Sequence, residues 1–303
     1  MKPGAREALF GVVGAGAALG AYALYEPHRY RLVTRDLEVR NGVPRLDILH
    51  LSDTHLGGGS RRRAKWLSEL PERLGATPDL VLATGDLIQA DSGIDLLVEV
   101  LAGLEARLGR FYVLGSHDYF QSKFQNYAKY WTGNRKLPAL RADSDRLEQG
   151  LQAKGWLPLT NRTEFVAHEA GRIRLAGVDD PYLNRHRIGH LRTSEQDACA
   201  IGLMHTPEVV SEYSLAGFDL VLAGHTHAGQ VRIPFAGAVV TNSSLPAALA
   251  GGAHRVGESW LHVSPGLGAS KFTPIRFLAR PEATLLQLVP TAERVTAPHA
   301  RSL

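Results

Sequence analysis

The sequence predicts an α/β fold, because short apolar runs of the length of buried strands alternate with segments of helical periodicity. The chain has 303 residues, of which 44% are hydrophobic, and this is enough for a sizeable core. No internal repeat, low-complexity linker or change of composition divides it after the N-terminus. We therefore expect one main domain over residues 40–290, a separate N-terminal segment over residues 1–30 and a polar tail over residues 291–303.

Seven apolar runs have the composition of buried strands, and most of them end at Gly, Asp, Ser or His. The predicted strands are Leu46–Leu51, Leu80–Ala83, Phe111–Leu114, Ile173–Val178, Ala200–Met204, Leu220–Ala223 and Trp260–Val263. Between them, Ile94–Leu108 carries leucines and valines in one stripe at helical spacing, and Ser144–Lys154 is a second predicted helix. Strands separated by helices indicate helices packed on the faces of a sheet.

The N-terminal segment has a different composition from the rest of the chain. Ala8–Tyr25 has no charged residue and follows Lys2 and Arg6. Its length is close to the lower limit for crossing a bilayer, which takes about 20 residues. We expect a single N-terminal anchor in the cell membrane. A signal peptide cleaved after Ala21–Ala23, giving a secreted protein, and a helix of a cytoplasmic protein are the alternatives.

Composition also limits the chemistry. The chain has 13 His but 1 Cys, which excludes an internal disulfide framework and thiolate clusters and leaves imidazole and carboxylate as metal ligands. The net charge is +4, and the densest basic run, Arg61–Arg63, is interpreted as the start of a solvated helix. We therefore expect no nucleic-acid partner.

Side chains that bind metals or transfer protons follow five of the predicted strands. They are Asp53 and His55, then Asp86, then Ser116, His117 and Asp118, then His205, and finally His225 and His227. Ligands of α/β proteins bind beyond the carboxyl ends of strands, so we expect these side chains to meet. Each pattern alone is common by chance, but five in succession indicate a metal site.

The order Asp-x-His, Gly-Asp, Gly-Ser-His-Asp, His and Gly-His-x-His resembles the signature of calcineurin-like metallophosphoesterases, and the likeness covers about residues 44–290. Gly177–Pro181, Gly224–Gln230, Gly266–Gly268 and Pro274–Phe277 resemble a bacterial branch that is associated with the membrane through one apolar N-terminal segment. The resemblance implies a four-layer αββα sandwich, in which two mixed β-sheets pack face to face with helices outside.

The resemblance also implies a ligand set for two divalent metal ions that share a bridging hydroxide. Asp86 would bridge the two ions, and three side chains, Asp53, His55 and His227, would complete the first ion's shell. The second ion would be held by His205 and His225.

The same resemblance implies that His117 is the general acid and that Asp118 orients it. Ser116 departs from the family, which has Asn at this position, and a serine hydroxyl is a weak ligand. Whether Ser116 binds the second ion is therefore left open. A mixed N/O ligand set suits Mn, Fe or Zn and disfavours Ca or Mg as the sole ion.

We expect hydrolysis of phosphoesters, with diesters favoured over monoesters and with a lipid-linked or envelope-derived substrate. The alternative is a non-catalytic module that binds a metal or a phospholigand and has a decayed second metal site. Loops 119–140 and 186–196 would determine specificity, with residues 119–131 as a lid. Asp179 and Asp180 fit a turn or the site equally well. The other histidines are interpreted as structural: His28, His50, His168, His186, His190, His254, His262 and His299.

Overall fold

The computed structural model describes residues 3–121, 140–269 and 272–291. The chain begins with helix α1, Pro3–Tyr25, which is followed by a short 3₁₀ turn over Glu26–His28. Within the described ranges, none of the helices combines the length and the apolar character that a membrane span needs.

The first sheet has six strands in the order β1-β14-β2-β3-β4-β5. Their bounds are β1 Arg31–Val39, β2 Leu46–Leu51, β3 Leu80–Thr84, β4 Gly109–Val113, β5 Trp156–Pro158 and β14 Glu282–Pro290. Strands β2 to β5 are parallel neighbours, whereas β14 runs antiparallel to β2 and parallel to β1.

The second sheet has six strands in the order β12-β13-β9-β8-β7-β6. Their bounds are β6 Arg162–His168, β7 Gly171–Gly177, β8 Asp197–Leu203, β9 Leu220–Ala223, β12 Gly252–Val256 and β13 Ser259–Val263. The four central strands are parallel, and both edge strands are antiparallel to their neighbours. A two-stranded ribbon, β10 Arg232–Ile233 with β11 Gly237–Ala238, lies outside both sheets.

Alternation of side chains along the strands produces the layers. Ile48, Leu82 and Leu222 belong to a buried cluster that fills the space between the two sheets. Their strand neighbours Leu49 and Val221 point outward and pack under the helices. The prediction of two mixed sheets in a four-layer sandwich is therefore confirmed.

Helices cover the outer faces. Those on the first sheet are α2 Arg61–Ser68, α3 Leu70–Leu74, α4 Ile94–Ala102 and α6 Ser144–Ala153, and the second sheet is covered by α7 Val210–Leu215. A single turn, α5 Ser116–Tyr119, follows β4. The predicted helix Ile94–Leu108 is wrong in its C-terminal part. Its chain leaves the helix at Gly103, because the N–H groups of Arg107 and Leu108 donate to Pro78 and Asp79 beside β3.

Strands β1 and β14 were absent from the sequence prediction. Arg31 and Arg35 interrupt the apolar pattern of β1, and both face the fully buried Glu282 at the start of β14, at 2.7 and 3.8 Å. The two arginines compensate the charge of the buried Glu282 at the edge of the sheet. The pairing also joins residues 31–39, which precede the predicted domain limit at residue 40, to the first sheet.

Candidate metal centre

The chemistry-bearing side chains predicted from the strand ends lie at one end of the sandwich. Asp53 and His55 follow β2, Asp86 follows β3, and His117 follows β4 in the first sheet. The second sheet supplies His205 after β8, and its strand β9 is followed by two further residues, His225 and His227. Since the carboxyl ends of all five strands face this end, residues that are 174 positions apart meet in space.

One group of potential ligands consists of Asp53, His55 and His227, whose nearest ligand atoms lie within 4.8 Å of one another. Asp53 Oδ1 is 3.6 Å from His227 Nε2 and 3.9 Å from His55 Nε2. These separations are too long for hydrogen bonds and are those expected of atoms that share one bound ion.

A second group consists of Asp86, His205 and His225. Asp86 Oδ2 is 3.3 Å from His205 Nε2 and also 3.8 Å from His55 Nε2 in the first group. The carboxylate of Asp86 therefore lies between the two groups. This is the position that the bridging role predicted for Asp86 requires.

Unpartnered buried atoms show that these residues fit a metal. Asp53 Oδ1 and both ring nitrogens of His55 are buried and have no hydrogen-bond partner. A buried polar atom left without a partner is destabilising by about 1–3 kcal/mol, and a metal ion removes that penalty.

The backbone at the site adopts strained conformations, which contacts with the rest of the fold must stabilise. Five of the six proposed ligands have φ between 41° and 70°, in the left-handed region: Asp53, His55, Asp86, His225 and His227. For residues other than glycine this conformation is destabilising by about 1–3 kcal/mol each and is concentrated at functional sites. The sixth ligand, His205, is not among the positive-φ residues.

Burial and neighbouring charges set the protonation of the ligands. Burial raises the pKa of Asp53 to about 6, and the charge of Asp86 adds to this effect. Burial acts in the same direction on Asp86, but His205 and His117 outweigh it and hold the pKa of Asp86 well below its usual range. Burial lowers the pKa of His55, His225 and His227, so these imidazoles are neutral at pH 7 and available to a metal.

Hydrogen bonds on the far side of two imidazoles orient them toward the site. His205 Nδ1 lies 2.7 Å from the carbonyl oxygen of Thr84, and His225 Nε2 lies 3.2 Å from that of Asn242. Each carbonyl accepts, so each of these nitrogens carries a proton, and the opposite nitrogen of the neutral His225 keeps its lone pair. Burial lowers the pKa of His205, but the Asp86 carboxylate outweighs it and raises that pKa well above its usual range, so a metal would have to displace a proton from His205 Nε2. Such outer partners fix the tautomer of metal-binding histidines.

His117 is partly accessible, with 26% of its side chain exposed, whereas His55 is 1% exposed. Its backbone N–H donates to Asp86 Oδ1 at 2.7 Å, and its Nε2 is 4.0 Å from Asp86 Oδ2. His117 is thus fixed to the Asp86 carboxylate and partly open to solvent, as a proton donor to substrate should be.

Asp118 makes contacts other than the one predicted for it. Its Oδ1 accepts the backbone N–H groups of Leu87 and Ile88, and its Oδ2 accepts that of Gly115. Asp118 therefore holds the loop after β3 against the turn after β4, and its orientation of His117 stays a prediction. Ser116 begins α5 next to His117, and its role as a ligand is likewise a prediction.

A buried hydrogen-bonded chain behind Asp53 was not predicted. Asp53 Oδ2 accepts from Ser52 Oγ at 2.6 Å, and Ser52 in turn accepts from Thr84 Oγ1 at 2.8 Å. Thr84 Oγ1 lies 2.9 Å from His50 Nε2, whose Nδ1 lies 2.8 Å from His262 Nδ1. Because the carboxylate can only accept, every link donates toward Asp53, with protons on His50 Nε2 and His262 Nδ1.

Two arginines also position the ligand loops. Arg63 donates to the carbonyl oxygens of Thr54 and His55, although its run had been interpreted as solvated. The fully buried Arg276 lies 3.1 Å from His227 Nδ1 and donates to Gly266 and Gly268. Arg276 and the two glycines belong to the segments that carried the resemblance to the bacterial branch.

Asp179 and Asp180 serve the turn after β7. Asp180 Oδ1 accepts from Tyr182 N and Thr206 Oγ1. Asp179 accepts from the hydroxyl of Tyr119 at 2.9 Å and from Arg185 Nε at 2.9 Å. These contacts join the ends of both predicted specificity loops. Residues 122–139, which include most of the predicted lid, lie outside the described ranges.

Residues 46–229 match the family model of calcineurin-like phosphoesterases. This match covers more than half of the chain, so the chain belongs to the calcineurin-like phosphoesterase family. It is therefore a metal-dependent phosphoesterase, and the predicted enzyme class is confirmed.

Three relatives share most of the chain. An uncharacterized metallophosphoesterase of Bacillus subtilis, YkoQ, is 27% identical over 88% of this chain and 94% of its own length. Phosphodiesterase YaeI of Escherichia coli is 24% identical over 93% of this chain and 97% of its own length. A transmembrane protein with a metallophosphoesterase domain from Bos taurus is 30% identical over 80% of this chain and 53% of its own length.

Proposed function

We propose that the protein hydrolyses phosphodiesters with two divalent metal ions at the cluster described above. The observation that carries the proposal is the sharing of Asp86 between two groups of ligands, Asp53, His55 and His227 on one side and His205 and His225 on the other. Ions bound there would supply positive charge for the phosphoryl oxygens and activate a water molecule as the nucleophile. Mn, Fe and Zn suit this mixture of imidazole and carboxylate.

The chain's own residues perform the remaining steps. His117 is accessible and is held against Asp86 through its backbone, so its Nε2 would donate a proton to the oxygen that leaves. Asp118 keeps the two loops that carry these residues at a fixed separation. Burial of the ligands excludes competing water and strengthens electrostatic interactions with the phosphate.

Two findings support a diester as the substrate and a membrane as the location. The name of YaeI records phosphodiesterase activity for that relative, and the bovine relative is named a transmembrane protein. In this chain, α1 has no charge between Ala8 and Tyr25, and several of its large apolar side chains, such as Phe10, Val12 and Leu19, are exposed. We propose that α1 attaches the enzyme to a membrane, where lipid-linked or envelope-derived phosphoesters would meet the site.

The proposal is tested by turnover of bis(4-nitrophenyl) phosphate and 4-nitrophenyl phosphate with added Mn, Fe or Zn. We expect faster hydrolysis of the diester, loss of turnover in Asp86→Asn and a fall of roughly 10²–10⁴-fold in kcat in His117→Ala. His168→Ala is the matched control, because His168 lies on the edge strand β6 and should leave turnover unchanged. Binding of metal without turnover under any of these metals would instead favour the non-catalytic module.

A further inference from the structure

A cavity separate from the metal centre lies where α1 meets the domain. It has a volume of about 380 Å³, which is the size of a small-ligand site. Four cationic side chains line it, Arg29, Arg62, Lys65 and Arg280, against one carboxylate, Glu69. No metal ligand lines it.

The single acid does not neutralise these cations. Glu69 accepts from Arg73 at 2.6 Å, and it is 4.0 Å from Lys65. Arg62 makes no hydrogen bond or ion pair with any residue in the described part of the chain. Burial, and then the charges of Arg62 and Arg63, lower the pKa of the neighbouring His28, which reports a positive field in the cavity. The cavity is therefore complementary to an anion.

Aromatic rings form the rest of the wall. Tyr30 and Trp66 pack with their centroids 5.5 Å apart, and the guanidinium of Arg29 lies 5.9 Å from the ring of Tyr25. Tyrosine, tryptophan and arginine together are typical of protein surfaces at the boundary between lipid and water.

The position of α1 favours a lipid over a soluble phosphate ester as the ligand of the cavity. Tyr25 is both the last residue of α1 and part of the cavity wall. The C-terminal end of α1 is fixed to the domain, because the carbonyl of Ala23 accepts from Arg276 N and the ring of Tyr22 packs on Phe277. Preceding it on α1, large apolar side chains are exposed by 55–71%: Phe10, Val12, Val13, Leu19 and Leu24. An exposed apolar helix thus ends at a cationic cavity, which is the arrangement of an acyl region next to a phosphate headgroup.

We infer that the cavity lined by Arg29, Arg62, Lys65 and Arg280 binds the phosphate headgroup of an anionic phospholipid while α1 contacts the acyl chains. Bound in this way, the domain would be held at a membrane surface by two different contacts. The inference goes beyond the proposed hydrolysis, because it concerns residues that the metal centre does not use.

The test compares binding of the full chain to vesicles of phosphatidylcholine alone and to vesicles that also contain phosphatidylglycerol, with chelator present and no substrate. Binding to the phosphatidylcholine vesicles measures the contribution of α1. The gain in affinity for the vesicles that also contain phosphatidylglycerol measures the contribution of the cavity. We expect Arg62→Glu to reduce the gain by about fivefold or more, since each basic residue near an anionic surface contributes about 1 kcal/mol. Arg62→Lys should retain the gain.

Lys154→Glu is the matched control, because Lys154 is exposed and precedes β5, at the opposite edge of the first sheet from β1. It changes the net charge equally and should leave both binding constants unchanged. A full gain in Arg62→Glu, or an equal loss in Lys154→Glu, would overturn the inference. So would soluble glycerol 3-phosphate binding as tightly as the vesicles, because the cavity would then take free phosphate esters. Because chelator is present throughout, none of these outcomes depends on whether the protein hydrolyses phosphodiesters.

Discussion

The proposed metal ligands are held in strained backbone conformations by hydrogen bonds from neighbouring loops of the same site. Asp53 and Asp86 have φ of 49° and 51°, and each accepts a backbone N–H, from His225 and His117 respectively. These bonds link the ligand loops to one another, so the site forms as a unit. Preorganisation of this kind is what metal binding and catalysis require.

The chain of hydroxyls and imidazoles behind Asp53 should raise metal affinity. Thr84→Val removes the central hydroxyl, so that Ser52 and His50 each lose a partner. We expect metal affinity to fall about 10–100-fold, the usual effect of losing an outer partner of a ligand. Isothermal titration with Mn²⁺ measures it directly.

Thr163→Val is the control for this substitution, because Thr163 Oγ1 is buried and has no hydrogen-bond partner. It should leave metal affinity unchanged. Equal affinities in Thr84→Val and the wild type would show that the chain does not support Asp53.

The buried pair His50 and His262 should make stability depend on pH. Burial lowers the pKa of His50 from 6.5 to about 3 and that of His262 well below 6.5, so the unfolded state binds more protons in this window. Their contribution is complete above pH 6.5 and is lost as the pH falls toward 3. We expect His262→Asn to reduce the dependence of the unfolding free energy on pH by about 1.4 kcal/mol per pH unit.

Urea unfolding with chelator at a series of pH values between 6.5 and 4 measures this difference. The same measurement on His168→Asn is the control, because His168 lies on the edge strand β6, away from the buried pair. An unchanged slope in His262→Asn would refute the assignment of a neutral buried pair.

Ser116 is the position where the sequence departs from the family, and a single substitution tests its effect. Ser116→Asn would add an amide oxygen at the start of α5, next to His117, whose backbone N–H donates to Asp86. We expect tighter binding of the second ion, measured as a higher affinity in the second phase of a metal titration. Ser116→Ala is the control. Equal affinity in Asn, Ser and Ala variants would mean that this position does not reach the ion.

At the scale of elements, the turn between β4 and α5 determines how closely the loops approach. A Cβ at Gly115 would lie 2.5 Å from Asp86 Oδ1, so Gly115→Ala must displace the Asp86 carboxylate. We expect loss of metal binding and at least about a 100-fold fall in turnover, as for other displacements of catalytic groups by about 1 Å.

Gly103→Ala at the end of α4 is the matched control, because its Cβ would meet only Val100 O, at 3.6 Å. It should bind metal and turn over substrate normally. Circular dichroism of both variants verifies the fold. Normal metal content in Gly115→Ala would contradict the proposed position of Asp86.

The elements also show what the sequence could predict and why. Leu220–Ala223 is found with its observed bounds, because this central strand is buried on both faces and therefore uniformly apolar. Leu46–Leu51 is also found with its observed bounds, although Asp47 and His50 interrupt its apolar run. Strand β1 was missed, because Arg31 and Arg35 are balanced by Glu282, which is some 250 positions away. A pattern along the chain does not contain that pairing.

The same distinction applies to the site. Its six proposed ligands could be identified from the sequence, because each follows an apolar run at a strand end. Arg276, His50 and His262 could not, since their roles depend on contacts such as that between His50 and His262, 212 positions apart. The role of Arg63 depends on its direction within α2, which a basic run does not reveal.

For the whole molecule, the two sheets bring their carboxyl ends together at one end of the sandwich, and this arrangement makes a centre with ligands from both sheets possible. The first sheet supplies Asp53, His55 and Asp86, and the second supplies His205, His225 and His227. Metal binding should therefore stabilise the packing of one sheet against the other. We expect saturating Mn²⁺ to raise the Tm of the wild type and to leave that of Asp86→Asn nearly unchanged.

The central claim is that Asp86 is shared by two metal ions, and anomalous diffraction from a crystal soaked in Mn²⁺ tests it most directly. We predict two anomalous peaks on either side of the Asp86 carboxylate, one next to Asp53, His55 and His227 and the other next to His205 and His225. A single peak, or peaks that Asp86 does not contact, would contradict it.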